Sequence, residues 1–217
     1  MKYEIIDKET YYRRDIFRHY SEDCKCSISM TARIDVSSLV AYSSKAGSSF
    51  YINFLYLLCK ALNSRAEYRM DYLEKTGELI CYDKINPIQY VFHEDTQTYT
   101  QVYTEYNADY RTFYGNCVRD IERARHSSEY GLDPDPDGHP NWFEASYIPW
   151  CSYDSLNVEL PEGNQYFPPI INWGKYRDEG GRLMMPVTAR MNQALADGYL
   201  VAITFKLIEK EIANFIK

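Results

Sequence analysis

The chain has 217 residues, 45% hydrophobic and 25% charged, which fits one globular domain spanning residues 1–217 with a sizeable core. Its net charge of −7 and its lack of any basic cluster argue against nucleic acid as a partner. No run of about eighteen apolar residues is present to span a membrane. The opening stretch, Met1 to Asp7, carries no apolar signal core, so the chain reads as cytoplasmic. Tyrosine is abundant, 22 against 9 Phe. A phenol buries a ring while keeping a polar handle, which suits subunit contacts or a ligand pocket.

In chain order, Tyr11 to His19 reads as a short first helix. Cys26 to Val36 alternates apolar with polar residues, the pattern of a half-buried strand. Val36 to Ala46 reads as a helix opened by Asp35 as its cap. Ser48 to Leu62 is apolar almost all round and predicts a buried helix. Arg69 to Leu73 and Glu78 to Tyr82 flank Lys75-Thr76-Gly77, a hairpin signal. Ile88 to His93 and Thr98 to Glu105 follow as strands, then Asp109 to Arg125 carries apolar residues at helical spacing. Ser146 to Trp150, Tyr166 to Trp173 and Arg182 to Met191 read as strands, the last two joined by a turn at Asp178-Glu179-Gly180-Gly181. A final helix places Val201, Phe205, Ile208, Ile212 and Phe215 on one stripe facing a sheet. Strands and helices mix without a regular β-α-β repeat, so the fold class is α+β, a layered sandwich.

The six cysteines, Cys24, Cys26, Cys59, Cys81, Cys117 and Cys151, form no C-x2-C pair, so structural zinc is not expected and free thiols in a reducing compartment are. Cys24 and Cys26 point the same way if both are extended. Asp133-Pro134-Asp135-Pro136-Asp137-Gly138 with Glu144 matches the spacing of a calcium loop. Its context is wrong for one: Pro140 falls where an apolar residue pairs with a second loop, and a strand follows where an exiting helix is needed. A solvated acidic loop is the preferred reading, and no metal is assigned.

Asn192-Gln193-Ala194-Leu195-Ala196-Asp197-Gly198 resembles the His-His-x-x-x-Asp-Gly signature of the chloramphenicol acetyltransferase family. Other segments are similar to that family in order. They are Tyr11-Tyr12-Arg13-Arg14-Asp15-Ile16-Phe17, Glu67-Tyr68-Arg69-Met70, Val91-Phe92-His93-Glu94, Ser146-Tyr147-Ile148-Pro149-Trp150, and Pro169-Ile170-Ile171-Asn172-Trp173-Gly174-Lys175-Tyr176. The resemblance runs nearly end to end. It implies a two-layer α/β sandwich, with helices on one face of a mixed sheet. It also implies a homotrimer in which acetyl-CoA, as co-substrate, and a small hydroxyl acceptor meet between subunits. The base comes from one subunit and most of the acceptor pocket from its neighbour.

Residue by residue, the resemblance places Ser146 as donor to the oxyanion and pairs Asp197 with Arg13 to tie the first helix to the site loop. Asp197-Gly198 also reads as the cap of the last helix. The family's second His is its general base, and Gln193 stands there. A carboxamide does not accept a proton near neutral pH, and loss of a general base costs about 10²–10⁴ in rate. Asn192 replaces the other His, and Asn172 stands where a Thr is common, so three departures are expected in one pocket. Of the four histidines, His19, His93, His126 and His139, none has a sequence position that places it against Ser146. Two readings stay open: a weak or altered acetyl-CoA-dependent O-acyltransferase, and a non-catalytic protein that binds an acyl-CoA or a small aromatic ligand.

Overall fold

The computed structural model describes residues 2–132, 141–160 and 165–217. Most of the acidic Asp-Pro motif, residues 133–140, lies outside them, as does His139.

The chain opens with β1 (Tyr3–Ile6) and a five-residue helix α1 (Arg14–Arg18), which runs on into a π-helical turn, His19–Asp23. The alternating stretch forms β2 (Ser27–Asp35). Helix α2 (Ser37–Ala46) follows, with the Asp35 carboxylate accepting from the Ser37 backbone N–H at 3.0 Å one residue ahead of the cap position. A left-handed Gly47 ends α2. Ser49 caps α3 (Phe50–Asn63), whose side chains from Ile52 to Leu62 are buried save Lys60, as its all-round apolar sequence requires.

Next come β3 (Met70–Leu73), β4 (Glu78–Tyr82), β5 (Asn86–His93) and β6 (Thr98–Tyr103). Asp109 caps α4 (Tyr110–Arg125) by accepting from Thr112 N–H at 2.9 Å. The remaining elements are β7 (Gly131–Leu132), β8 (Trp142–Ile148), β9 (Ile170–Gly174), β10 (Arg177–Asp178), β11 (Leu183–Asn192) and α5 (Gly198–Phe215).

Two sheets result. A small antiparallel one has the order β1-β4-β3, and the large one runs β10-β11-β9-β8-β5-β6-β7 with β2 paired to β11. The β5–β8 and β8–β9 pairs are parallel while β2–β11, β9–β11 and β5–β6 are antiparallel, so the large sheet is mixed. Helices α3 and α5 pack on each other, α5 lies against β2 and β11, and α4 against β5 and β6. Phe143, Ala145, Ile171, Trp173, Val187, Ala189 and Met191 face these helices and form the core with Phe54, Leu57 and Ile208. This is the expected α+β sandwich with helices on one face.

Local departures have local causes. The first helix is shorter than its expected span. Tyr166 to Pro169 does not join β9, because Pro168 and Pro169 cannot donate to a ladder. β8 starts four residues before the expected Ser146, and β1 has no counterpart in the reading of the N-terminus. Among the described residues no helix is long and apolar enough to cross a membrane.

Candidate active site

Side chains alternate across a strand, so residues two apart share a face. In register across the large sheet, Ser146 on β8 pairs with Asn172 on β9, Asn172 with Thr188 on β11, and Thr188 with Thr31 on β2. This row lies on the face away from the helices, and it is polar. The Thr31 and Thr188 hydroxyls are 2.7 Å apart, Thr188 donates to the Tyr153 phenol at 3.3 Å, and Tyr153 donates to the Asn172 carbonyl at 3.0 Å.

Tyr153 belongs to the segment after β8 that crosses this open face. Ser29 anchors the segment through Asn157 at 2.7 Å, and Arg33 through Asp154. Its approach depends on Gly174, where a Cβ would lie 2.8 Å from the Cys151 carbonyl oxygen and 2.9 Å from the Tyr153 ring. Between this segment and the sheet lies a cavity of about 510 Å³, into which Ser146, Asn172, Glu144 and the Tyr90 and Tyr166 rings project. Val158 and Leu160 line it from the crossing segment. Phe92, Tyr99 and Trp150, all exposed, lie on its border, with Phe92 and Trp150 edge to face at 4.8 Å.

Asn172 is only 5% exposed, and its Nδ2 has no hydrogen-bond partner among the described residues. A buried amide donor left open beside a serine hydroxyl, within a cavity, is suited to meet an oxygen that gains negative charge.

The loop after β11 is a separate feature. Arg13 donates from Nη2 to Asp197 Oδ2 at 2.7 Å, joining residues 184 apart in sequence. Asp197 also caps α5, accepting from Leu200 N–H at 3.2 Å. Burial alone would lift the Asp197 carboxyl, but the Arg13 hydrogen bond and charge, with the Leu200 N–H, hold it below its ordinary value. Tyr12, beside Arg13, donates to Glu67, which Arg65 pairs at 3.0 Å, so the first helix is held from two sides.

Asn192 is 2% exposed; its side-chain oxygen accepts from Ala194 N–H at 3.0 Å, and it does not line the cavity. The Gln193 N–H donates to the Cys26 carbonyl at 3.0 Å, and its Oε1 accepts from the Cys26 thiol at 3.3 Å. Burial, with Cys24 beside it, pushes the Cys26 thiol up, which keeps it a protonated donor. With its oxygen accepting from the thiol, the end of the Gln193 amide left to bind a ligand is a donor.

Within one chain Gln193 and Ser146 do not meet. β9 separates β11 from β8, a lateral offset of about 10 Å, and Gln193 lies five residues beyond Thr188, about 16 Å further along the strand. None of the three described histidines fills the gap. His93 bonds Thr100 at 2.9 Å, His126 its own helix at Glu122, and His19 sits 3.3 Å from Asp23.

A family profile described as chloramphenicol acetyltransferase matches residues 1–209. The chain belongs to the chloramphenicol acetyltransferase family. A chloramphenicol acetyltransferase of Campylobacter coli is 32% identical over 201 residues, covering 93% of this chain and 94% of that protein. Chloramphenicol acetyltransferase 3 of Escherichia coli is 33% identical over 202 residues, with 93% of each covered. A solved chloramphenicol acetyltransferase superposes with a TM-score of 0.84 at 24% identity, covering 97% of this chain and 100% of that one. The truncated catalytic core of a 2-oxoacid dehydrogenase complex from Thermoplasma acidophilum shares the fold at 15% identity with a TM-score of 0.68, covering 97% and 99%.

The structure thus joins Arg13 to Asp197 and Ser146 to Asn172, and holds Gln193 apart from both serine and cavity. Glu144 is a lining residue of the cavity that no site motif in the sequence marks. It matches the last position of a calcium-loop spacing that its context argues against, which gives it no role at the site; it lies in β8, its carboxylate accepting from the Tyr90 and Tyr166 phenols. Its position two residues before Ser146 on a strand was the available signal, since that spacing puts both on one face.

Proposed function

We propose that the chain is an acetyl-CoA-dependent O-acyltransferase of small hydroxyl acceptors, with turnover weakened by the loss of its general base, and that its site forms between copies of a homotrimer. Kinship to enzymes named chloramphenicol acetyltransferase supports the acyl transfer and makes chloramphenicol the first acceptor to try. The separation of Gln193 from Ser146 within one chain is the observation that favours an interfacial site. Two surface features agree with it: exposed aromatic rings border the cavity, and nine-residue β2 is paired on one side only among the described residues. Six free cysteines suit a cytoplasmic setting.

In this reading the acceptor hydroxyl attacks the thioester carbonyl, whose oxygen becomes the oxyanion of a tetrahedral intermediate; collapse breaks the C–S bond, giving the ester and the CoA thiolate, which takes up the proton the hydroxyl lost and leaves as the thiol. Ser146 Oγ–H and the open Asn172 Nδ2–H are the donors to the oxyanion. The attacking hydroxyl must lose its proton, and at the position of the family base stands a carboxamide that cannot take it. The amide can hold the acceptor hydroxyl in place, so binding survives where proton transfer does not.

The engagement of the Gln193 oxygen by the Cys26 thiol favours a second reading, in which acyl-CoA or a small aromatic ligand binds without turnover. Thiol release from acetyl-CoA with chloramphenicol, run beside calorimetric titration of each ligand, separates the two. Slow but saturable release supports the acyltransferase. Binding with release no faster than the uncatalysed rate supports the second reading, and no binding of either ligand overturns both.

A further inference from the structure

The cavity has apolar and phenolic walls, and Glu144 is the one charged side chain among its described lining residues. A carboxylate in such a place is expensive unless its lone pairs are met. Two of them are: Tyr90 donates to one oxygen and Tyr166 to the other, and the Trp142 indole N–H, 3.4 Å from the Tyr166 oxygen, backs the second phenol. Burial and the Glu144 charge push both phenols up, so they stay protonated donors and the carboxylate stays clamped between them. A carboxylate offers about four acceptor sites, so two remain. Arg190 shares the cross-strand row and face through Ile170, with its backbone two strands away, about 10 Å across, and its guanidinium near enough to Tyr166 to interact with it electrostatically, but it makes no ion pair with Glu144 and does not line the cavity. Its own side chain is 5% exposed, and burial pushes its guanidinium down.

We infer that Glu144 determines acceptor specificity, selecting molecules that carry an ammonium group close to the hydroxyl presented to Ser146. A neutral amide or nitro group offers the remaining carboxylate lone pairs a weak donor or none. An ammonium offers three donors and a countercharge within contact distance, and none of the ion pairs among the described residues involves the half-buried Glu144. Tyr90 and Tyr166 are positioning residues that fix the carboxylate rather than contact points for the cation. The inference rests on the cavity being the acceptor site proposed above.

A matched pair of probes tests it: chloramphenicol, and the amine left when its dichloroacetyl group is removed. They share the ring and the diol and differ by a neutral amide against an ammonium. Each is titrated calorimetrically at pH 7 into the full chain, with acetyl-CoA titrated separately. The amine should bind the wild type about 10- to 100-fold more tightly than chloramphenicol, the usual worth of a hydrogen bond to a charged group. Glu144→Gln keeps an oxygen for the phenols and should bring the two affinities level or reverse them. Tyr90→Phe keeps the charge and should retain the preference.

Equal or weaker binding of the amine to wild type would overturn the inference. So would a preference that survives Glu144→Gln, or acetyl-CoA binding with neither probe bound. An amine preference without acetyl-CoA binding would instead sink the acyl-transfer reading, and with it the acceptor role, while leaving Glu144 as the group that selects an ammonium ligand.

Discussion

The Arg13–Asp197 contact shows how one residue can serve architecture and site together. Asp197 caps α5 and pairs with the first helix, and the loop carrying Gln193 hangs between the two anchors. The pair is made through one guanidinium nitrogen, with side-chain exposures of 10% and 28%. Breaking a fully buried pair costs about 3–5 kcal/mol and an exposed one about 0–1, so Asp197→Asn, which retains capping ability, should cost about 1–3 kcal/mol. Thermal unfolding should show that as a fall of about 2–4 °C per kcal/mol; an unchanged melting temperature would show the pair contributes nothing.

The same carboxyl gives a pH dependence of known sign. Its folded value lies below the ordinary 3.8, so its contribution is complete above 3.8 and fades as pH falls through the lower folded value. The stability gap between wild type and Asp197→Asn should therefore narrow on acidification below 3.8, as read by denaturant titration at several pH values. This pair was legible in the sequence only through resemblance, because nothing local links residues 184 apart. Only the face Glu144 occupies was legible, from its spacing to Ser146; its partners were not, since they are Tyr90 from β5 and Tyr166 from outside any strand.

Among elements, those with a strong period came through. The alternating β2, the apolar α3 and the striped α5 lie within a few residues of expectation, because each pattern admits one way of burying its apolar side. The segment after β8 had no period to read. Its course is set by tertiary contacts, Tyr153 onto the Asn172 carbonyl and Asn157 onto Ser29, and by the room that Gly174 leaves. Gly174→Ala would force a Cβ to within 2.8 Å of a backbone oxygen, so the segment must shift. The expected outcome is a loss of about 1–3 kcal/mol in stability from overpacking, with at least a tenfold weaker affinity for ligands of the cavity that the segment covers. Calorimetry and a thermal melt together check this; unchanged ligand affinity would mean the segment does not shape the site.

At the scale of the whole molecule, the two-layer sandwich and the family were readable in advance because the matching segments run through nearly all of the chain. The assembly is a proposal that rests on geometry: Ser146 and Asn172 sit in the cavity, Gln193 lies about 10 Å across from Ser146, about 5 Å across from Asn172 and about 16 Å along the sheet from both, and a second copy is the simplest way to bring them together. Light scattering at micromolar concentration should give a mass of about three times 25.6 kDa, and a monomer would remove the shared site. The central claim is that such a site is complete apart from its base. The most direct test is the rate of thiol release from acetyl-CoA with chloramphenicol, compared between wild type and Gln193→His. Wild type should be slow, with a gain of about 10²–10⁴ in the variant and a loss of about 10²–10³ when Ser146→Ala is added to it. A wild-type rate equal to that of the histidine variant would contradict the claim.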